Sequence, residues 1–216
     1  MQRHTRSEIL LASGLAWTAG YADAIGFLHL GGWFVSFMTG NSTRAGAAVA
    51  NGSLTGFLQA FGLIAAFFLG VAGASVLRRL LSRHRRPAIC LVSAAGLTAA
   101  LLSTATPGTE GLLGPLLALA MGSLNAVFER EGEVSIGITY MTGTLVKLGQ
   151  RAVAALFGEK DTGWGRYLLL WSALTVGSLC GGAAYFSLGM ASLNPAIGAL
   201  VIAAAASWGH PGHRHG

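Results

Sequence analysis

Gly20-Tyr21-Ala22-Asp23-Ala24, followed fourteen residues on by Met38-Thr39-Gly40-Asn41, has a second copy within the same chain. That copy reads Gly122-Ser123-Leu124-Asn125-Ala126 and then Met141-Thr142-Gly143-Thr144. Downstream, Arg44 and Gly46 in the first half answer Lys147 and Gly149 in the second. Both copies lie in otherwise apolar sequence. Two hydrophobic halves that share a polar, glycine-broken core are the footprint of a duplicated membrane transporter fold.

The composition supports a bilayer setting. Only 10% of the 216 residues are charged, whereas an ordinary soluble domain carries roughly a quarter. Several apolar stretches exceed the length, about 18 residues, at which a spanning helix is the default reading. The 32 glycines allow helix backbones to approach closely in lipid, where no hydrophobic force pushes helices together. The expected fold class is therefore an all-α, polytopic membrane protein.

The net charge of +6 does not imply nucleic acid as a partner. Most of the excess lies in the run Arg78-Arg79-Leu80-Leu81-Ser82-Arg83-His84-Arg85-Arg86 between two apolar segments. A basic loop between spans is what the positive-inside rule expects of a cytoplasmic connection. Cys90 and Cys180 lie in apolar stretches and read as small buried hydrophobes without disulfide or metal spacing. The first apolar run is too long for a signal-peptide core.

Six segments read as spans: 9–30, 54–77, 88–105, 112–128, 167–188 and 191–208. At about 1.5 Å per residue most reach a hydrocarbon core about 30 Å thick. Segments 34–50 and 136–157 fit lipid less well. The first carries Asn41, Ser42, Thr43 and Arg44, the second Lys147, Gln150 and Arg151. Both are expected to need protein or water around these groups.

Arg3 and Arg6 face the same side as the 78–86 loop if an even number of crossings separates them. This is met if 34–50 is re-entrant or a broken helix, and 136–157 likewise. The expectation is six transmembrane helices plus two re-entrant or broken helices, in one transmembrane domain covering 1–216. Repeat 1 spans about 9–105 and repeat 2 about 112–208. With three crossings each, the repeats are inverted relative to one another. The alternative has eight crossings, parallel repeats and an external amino terminus.

Asp23 is the only acid in the middle of a predicted span. A carboxylate there is costly unless paired, hydrated or protonated, so it is a candidate for proton coupling; capping a helix break or pairing with Arg44 is the structural alternative. Its counterpart Asn125 cannot ionise. Thr39, Gly40 and Asn41, with Thr142, Gly143 and Thr144, are expected to unwind the helix and expose backbone groups to a polar substrate. Arg44 and Lys147, at matched places, would favour an anion, or would snorkel to lipid phosphate. Asp23, Thr39, Gly40, Asn41, Arg44, Asn125, Thr142, Gly143, Thr144 and Lys147 form the expected substrate-binding set. Glu129, Arg130, Glu131 and Glu133 read as a solvated loop, and the histidine-containing tail 210–215 as a flexible end.

No Walker loop, zinc-protease helix or Gly-x-Ser-x-Gly elbow is present, so no enzyme, cofactor or metal is expected. The run from Gly20 to Asn41, extended by Asn125-Ala126 and Met141-Thr142-Gly143-Thr144, resembles the YoaK-like family of bacterial multi-pass membrane proteins. The resemblance covers nearly the whole chain and implies a bacterial inner-membrane location; it implies no substrate or cofactor. The function expected from the residues is a secondary transporter of a small polar or anionic solute. A passive channel and a non-transporting scaffold or assembly partner are the alternatives. Expected partners are the lipid bilayer and a small-molecule or ion substrate, with a homo-oligomer left open.

Overall fold

The computed structural model of the chain describes residues 5–81, 83–130, 133–159 and 162–208. It is built of eight α-helices: α1 (Arg6–His29), α2 (Met38–Ala50), α3 (Leu54–Leu80), α4 (Arg85–Ser103), α5 (Leu113–Leu124), α6 (Met141–Leu156), α7 (Trp164–Leu188) and α8 (Leu193–Trp208). Short 3-10 turns lead into α5 and α8 and extend α5 to Phe128. The only strand pairing among the described residues joins Glu129–Arg130 to Glu133–Val134. Among the described residues four stretches are long and apolar enough to cross a bilayer: Leu54–Leu80, Arg85–Ser103, Glu110–Phe128 and Trp164–Trp208. The last contains α7 and α8, which turn at Gly189 with φ of +55°. The chain is an all-helical membrane protein, and the histidine-containing tail lies outside the described residues.

The helices start where the sequence supplies hydrogen-bond partners. Thr5 and Glu8 form a reciprocal capping box on α1, each backbone N–H meeting the other's side chain at 3.2 Å. Ser53 Oγ accepts from Gly56 N at 3.1 Å and opens α3. Hydroxyls inside the helices turn back on the preceding turn. Ser42 donates to the Met38 carbonyl, Thr43 to that of Thr39 and Thr144 to that of Tyr140. The polar run of α2 thus satisfies much of itself.

Two helix pairs pack backbone against backbone. In the pair α1–α7, a Cβ on Gly20 would overlap the carbonyl of Leu174, and one on Gly177 the carbonyl of Trp17. In the pair α3–α5, a Cβ on Gly122 would overlap the carbonyl of Phe67, and one on Gly70 that of Leu119. Gly181 fits against the Tyr21 carbonyl in the same way. These close crossings bear out the reading of the glycines as contact positions. Outside the pairs, α4 packs on α8 and α5, α8 on α1, α2 on α3, and α6 on α7.

Contacts at the helix ends fix their directions. Arg86 pairs with Glu8 at 2.6 Å and lies over the Phe128 ring at 5.3 Å. Arg78 donates to the carbonyls of Val127 and Glu129, and the His84 ring lies tilted against that of Trp208, 4.9 Å between centroids. The start of α1, the α3–α4 connection, the end of α5 and the end of α8 therefore share one end of the bundle. At the other end His29 Nδ1 meets the Tyr185 hydroxyl at 2.9 Å.

Three expectations need correction. Met-Thr-Gly does not break a helix. It forms the first turn of α2 and of α6, and the non-helical backbone is the segment before it. Glu129 is docked rather than free in a solvated loop, since its carboxylate accepts from Ser75 Oγ at 2.7 Å. Cys90 is buried as expected, but Cys180 faces outward from α7.

Candidate functional site

The segment 30–37 leaves the end of α1, turns at Gly31 and Gly32, both at positive φ, and folds back alongside it. Asp23 Oδ1 accepts from Val35 N at 2.8 Å and Ser36 N at 2.7 Å. The side chain of Val35 is fully buried, where it fills the space left by Gly26. Asn41 closes the other edge of the loop. Its Oδ1 accepts from Phe34 N at 3.1 Å and its Nδ2 donates to the Phe34 carbonyl at 2.7 Å. The amide thus takes the part of a paired strand for one residue, and Asn41 is completely buried. Asp23 is tied to this loop backbone, while the Arg44 guanidinium lies among aromatic rings.

In the second half the matching acceptor is the neutral Asn125, and it receives a side-chain hydroxyl. Thr139 Oγ1 donates to Asn125 Oδ1 at 3.1 Å, and Asn125 Nδ2 reaches the Met121 carbonyl at 3.3 Å. Counting back from Met141 as from Met38, Thr139 stands where Ser36 does and Ile138 where Val35 does. Ile138 is also fully buried. The residues that receive Asp23 and Asn125 were not singled out from sequence. Continuing the repeat through the loop would have found them, because a small hydroxyl residue preceded by a β-branched one recurs at both places.

The ten expected site residues fall into distinct groups. Asp23 and Asn41 meet on one loop; Asn125 meets Thr139, and the Thr144 hydroxyl meets Tyr140. Thr39, Thr142, Gly143 and Lys147 are exposed, and Gly40 sits under the Phe37 and Phe34 rings. Because α2 packs on α3 and α6 on α7, the two Met-Thr-Gly turns lie on different helix pairs. Neither helix start carries a side-chain cap; Gly40 N bonds the Phe37 carbonyl and Met141 N that of Thr139. Among the described residues no group of three His, Cys, Asp or Glu is placed to hold a metal.

Each loop also joins two packing units. The helix α2 rides on α3, yet its leading loop is bonded to α1 through Asp23. In turn α6 rides on α7, while its leading segment is bonded through Asn125 at the end of α5.

Comparison with known proteins agrees with the membrane reading. Residues 11–206 match the family model described as protein of unknown function (DUF1275). The chain is also similar to UPF0700 transmembrane protein RA0705 of Rhizobium meliloti (strain 1021), 31% identical over 206 residues, covering 95% of this chain and 88% of that protein. No solved structure matches significantly. The YoaK-like resemblance is consistent with this match, and the chain belongs to the DUF1275 family of membrane proteins.

Proposed function

We propose that the protein is a secondary carrier of a small polar solute, built of two inverted repeats and resident in the bacterial inner membrane. The observation that carries this reading is how the packing behaves when the first four helices are exchanged for the last four. The α1–α7 pair becomes α5–α3, α4–α5 becomes α8–α1, and α2–α3 becomes α6–α7. The glycine contacts follow the same exchange: Gly20 on Leu174 answers Gly122 on Phe67, and Gly177 on Trp17 answers Gly70 on Leu119. In this reading α1, α3, α4, α5, α7 and α8 cross the bilayer, while α2 and α6 enter and leave by one side. The shared end of Glu8, Arg86 and Trp208 is then cytoplasmic, in keeping with its basic residues.

One rigid body comprises α1, α7 and α6, the other α5, α3 and α2. Rocking of one against the other, with Asp23 and Asn125 as tethers of the two loops, is the motion expected of inverted-repeat carriers. Protonation of Asp23 would convert a carboxylate acceptor of two N–H groups into a weaker one, which links a proton to release of the first loop. The second tether, neutral at Asn125, would not respond.

Purified protein in liposomes tests this by uptake of a panel of small solutes with and without an imposed pH gradient. A carrier accumulates its solute against a concentration gradient, and Asp23→Asn, which keeps an acceptor oxygen, removes the response to the pH gradient. Passive equilibration alone would make it a channel. Absence of uptake across the panel, with cellular function intact in Thr39→Ala/Thr142→Ala, would make it a scaffold.

A further inference from the structure

Arg44 stands in the second turn of α2 with its guanidinium among three aromatic rings. Its Cζ is 5.3 Å from the ring centroid of Trp33, 5.8 Å from Phe27 and 6.0 Å from Phe34. Gly32 closes the enclosure from the loop. A Cβ there would come within 2.8 Å of Arg44 Nη2, and the φ of +96° already excludes most side chains. No carboxylate, hydroxyl or carbonyl among the described residues bonds the guanidinium, which lies against the three rings. Rings engage the faces of a guanidinium. Its five N–H donors lie in the plane and retain the fork that matches carboxylate or phosphate.

The other repeat shows that the fold does not need this enclosure. Counting from Asn125 as from Asp23, Glu129 replaces Phe27. Counting back from Met141, Ile136 and Gly137 replace Trp33 and Phe34. Lys147, in the place of Arg44, is exposed. The helix–loop–helix unit therefore forms without rings or guanidinium, and the cage is an addition to the first half. It lies near the end of α1 occupied by His29, opposite the basic connection.

We propose that the Arg44 cage is a binding site for an oxyanion, a carboxylate or phosphate group, open to the side opposite the basic loop. The occupant is either the transported solute or the headgroup of an anionic lipid; the chemistry is the same. The proposal rests on the carrier reading only for what the anion is used for, because binding is measured without transport.

Calorimetric titration of the full chain in phosphatidylcholine nanodiscs, using sodium phosphate and sodium acetate against chloride at matched ionic strength, detects a free anion. Native mass spectrometry after purification from mixed lipid counts retained phosphatidylglycerol and detects a headgroup. The expected result is saturable binding in one arm. It should be lost in Arg44→Gln, weakened at least tenfold in Arg44→Lys, which keeps the charge without the fork, and unchanged in Lys147→Gln. Thermal unfolding confirms that each variant is folded. Binding in neither arm, or binding retained by Arg44→Gln, overturns the proposal. Binding in neither arm, with solute uptake by the wild-type protein intact, would leave the carrier reading standing and remove this one.

Discussion

At the scale of single residues, the polar groups of the first repeat divide into those that fasten the backbone and those that face outward. Asp23 and Asn41 each engage two backbone partners of the 30–37 loop. Asp23→Ala would leave two N–H groups without an acceptor, at a cost of roughly 1–3 kcal/mol. Asp23→Asn retains an oxygen and should lose less. Unfolding of the purified variants in detergent checks this order; equal stability of Asp23→Ala and wild type would show that the loop is not held there. Asn41→Asp offers an acceptor to Phe34 N but sets a carboxylate against the Phe34 carbonyl, so it should destabilise more than Asp23→Asn.

The same residues show how far the sequence could be read. An isolated acid within a span attracts attention because ionised groups are expensive there, and it was found. Its partners were not, because backbone N–H groups carry no residue signature. Only the recurrence of Ser36 at Thr139, behind Val35 and Ile138, marks them.

At the scale of helices, the close glycine contacts set opposite expectations for chemically identical changes. Gly20→Ala and Gly122→Ala force a Cβ into a carbonyl of the neighbouring helix and should separate α1 from α7 and α3 from α5. Gly14→Ala and Gly62→Ala meet nothing within 4 Å and should stabilise by about 0.5–1 kcal/mol through helix propensity alone. Thermal unfolding of the four variants compares them directly. A loss at Gly14 as large as at Gly20 would refute the packing account.

The long helices were legible at this scale because their apolar runs are long and interrupted by glycine or charge, although Arg6–His29 is not among the four stretches apolar enough to cross a bilayer. Segments 54–77 and 112–128 differ from the observed helices by a few residues at most. The starts of α2 and α6 were not legible. The residues before them are Phe37 and Tyr140, and neither can cap a helix with its side chain. Without that signal, threonine followed by glycine resembles a break, although it is the first turn of a helix. The polar residues of α2 misled similarly, since Ser42 and Thr43 satisfy themselves within their own helix.

At the scale of the whole molecule, the proposed exchange of four helices for four implies a definite sidedness. The Asn51–Ser53 turn between α2 and α3 lies at the end opposite Glu8 and Arg86, whereas the α6–α7 turn at Glu159 belongs to the basic end. Parallel repeats, with eight full crossings, would require α2 and α6 to span. At 13 residues α2 is short for a hydrocarbon core of about 30 Å, and α6, no longer than α8, carries Lys147 and Arg151 within it. Inversion and re-entry thus stand or fall together.

The most direct measurement is the sidedness of single cysteines in cells, read with a membrane-impermeant maleimide before and after lysis. Ser53→Cys and Glu159→Cys, each in a Cys90→Ala/Cys180→Ala background, place one reporter at each proposed re-entrant hairpin. Ser53→Cys should react in intact cells and Glu159→Cys only after lysis. Labelling of both from the same side would contradict the inverted arrangement, and with it the carrier built upon it.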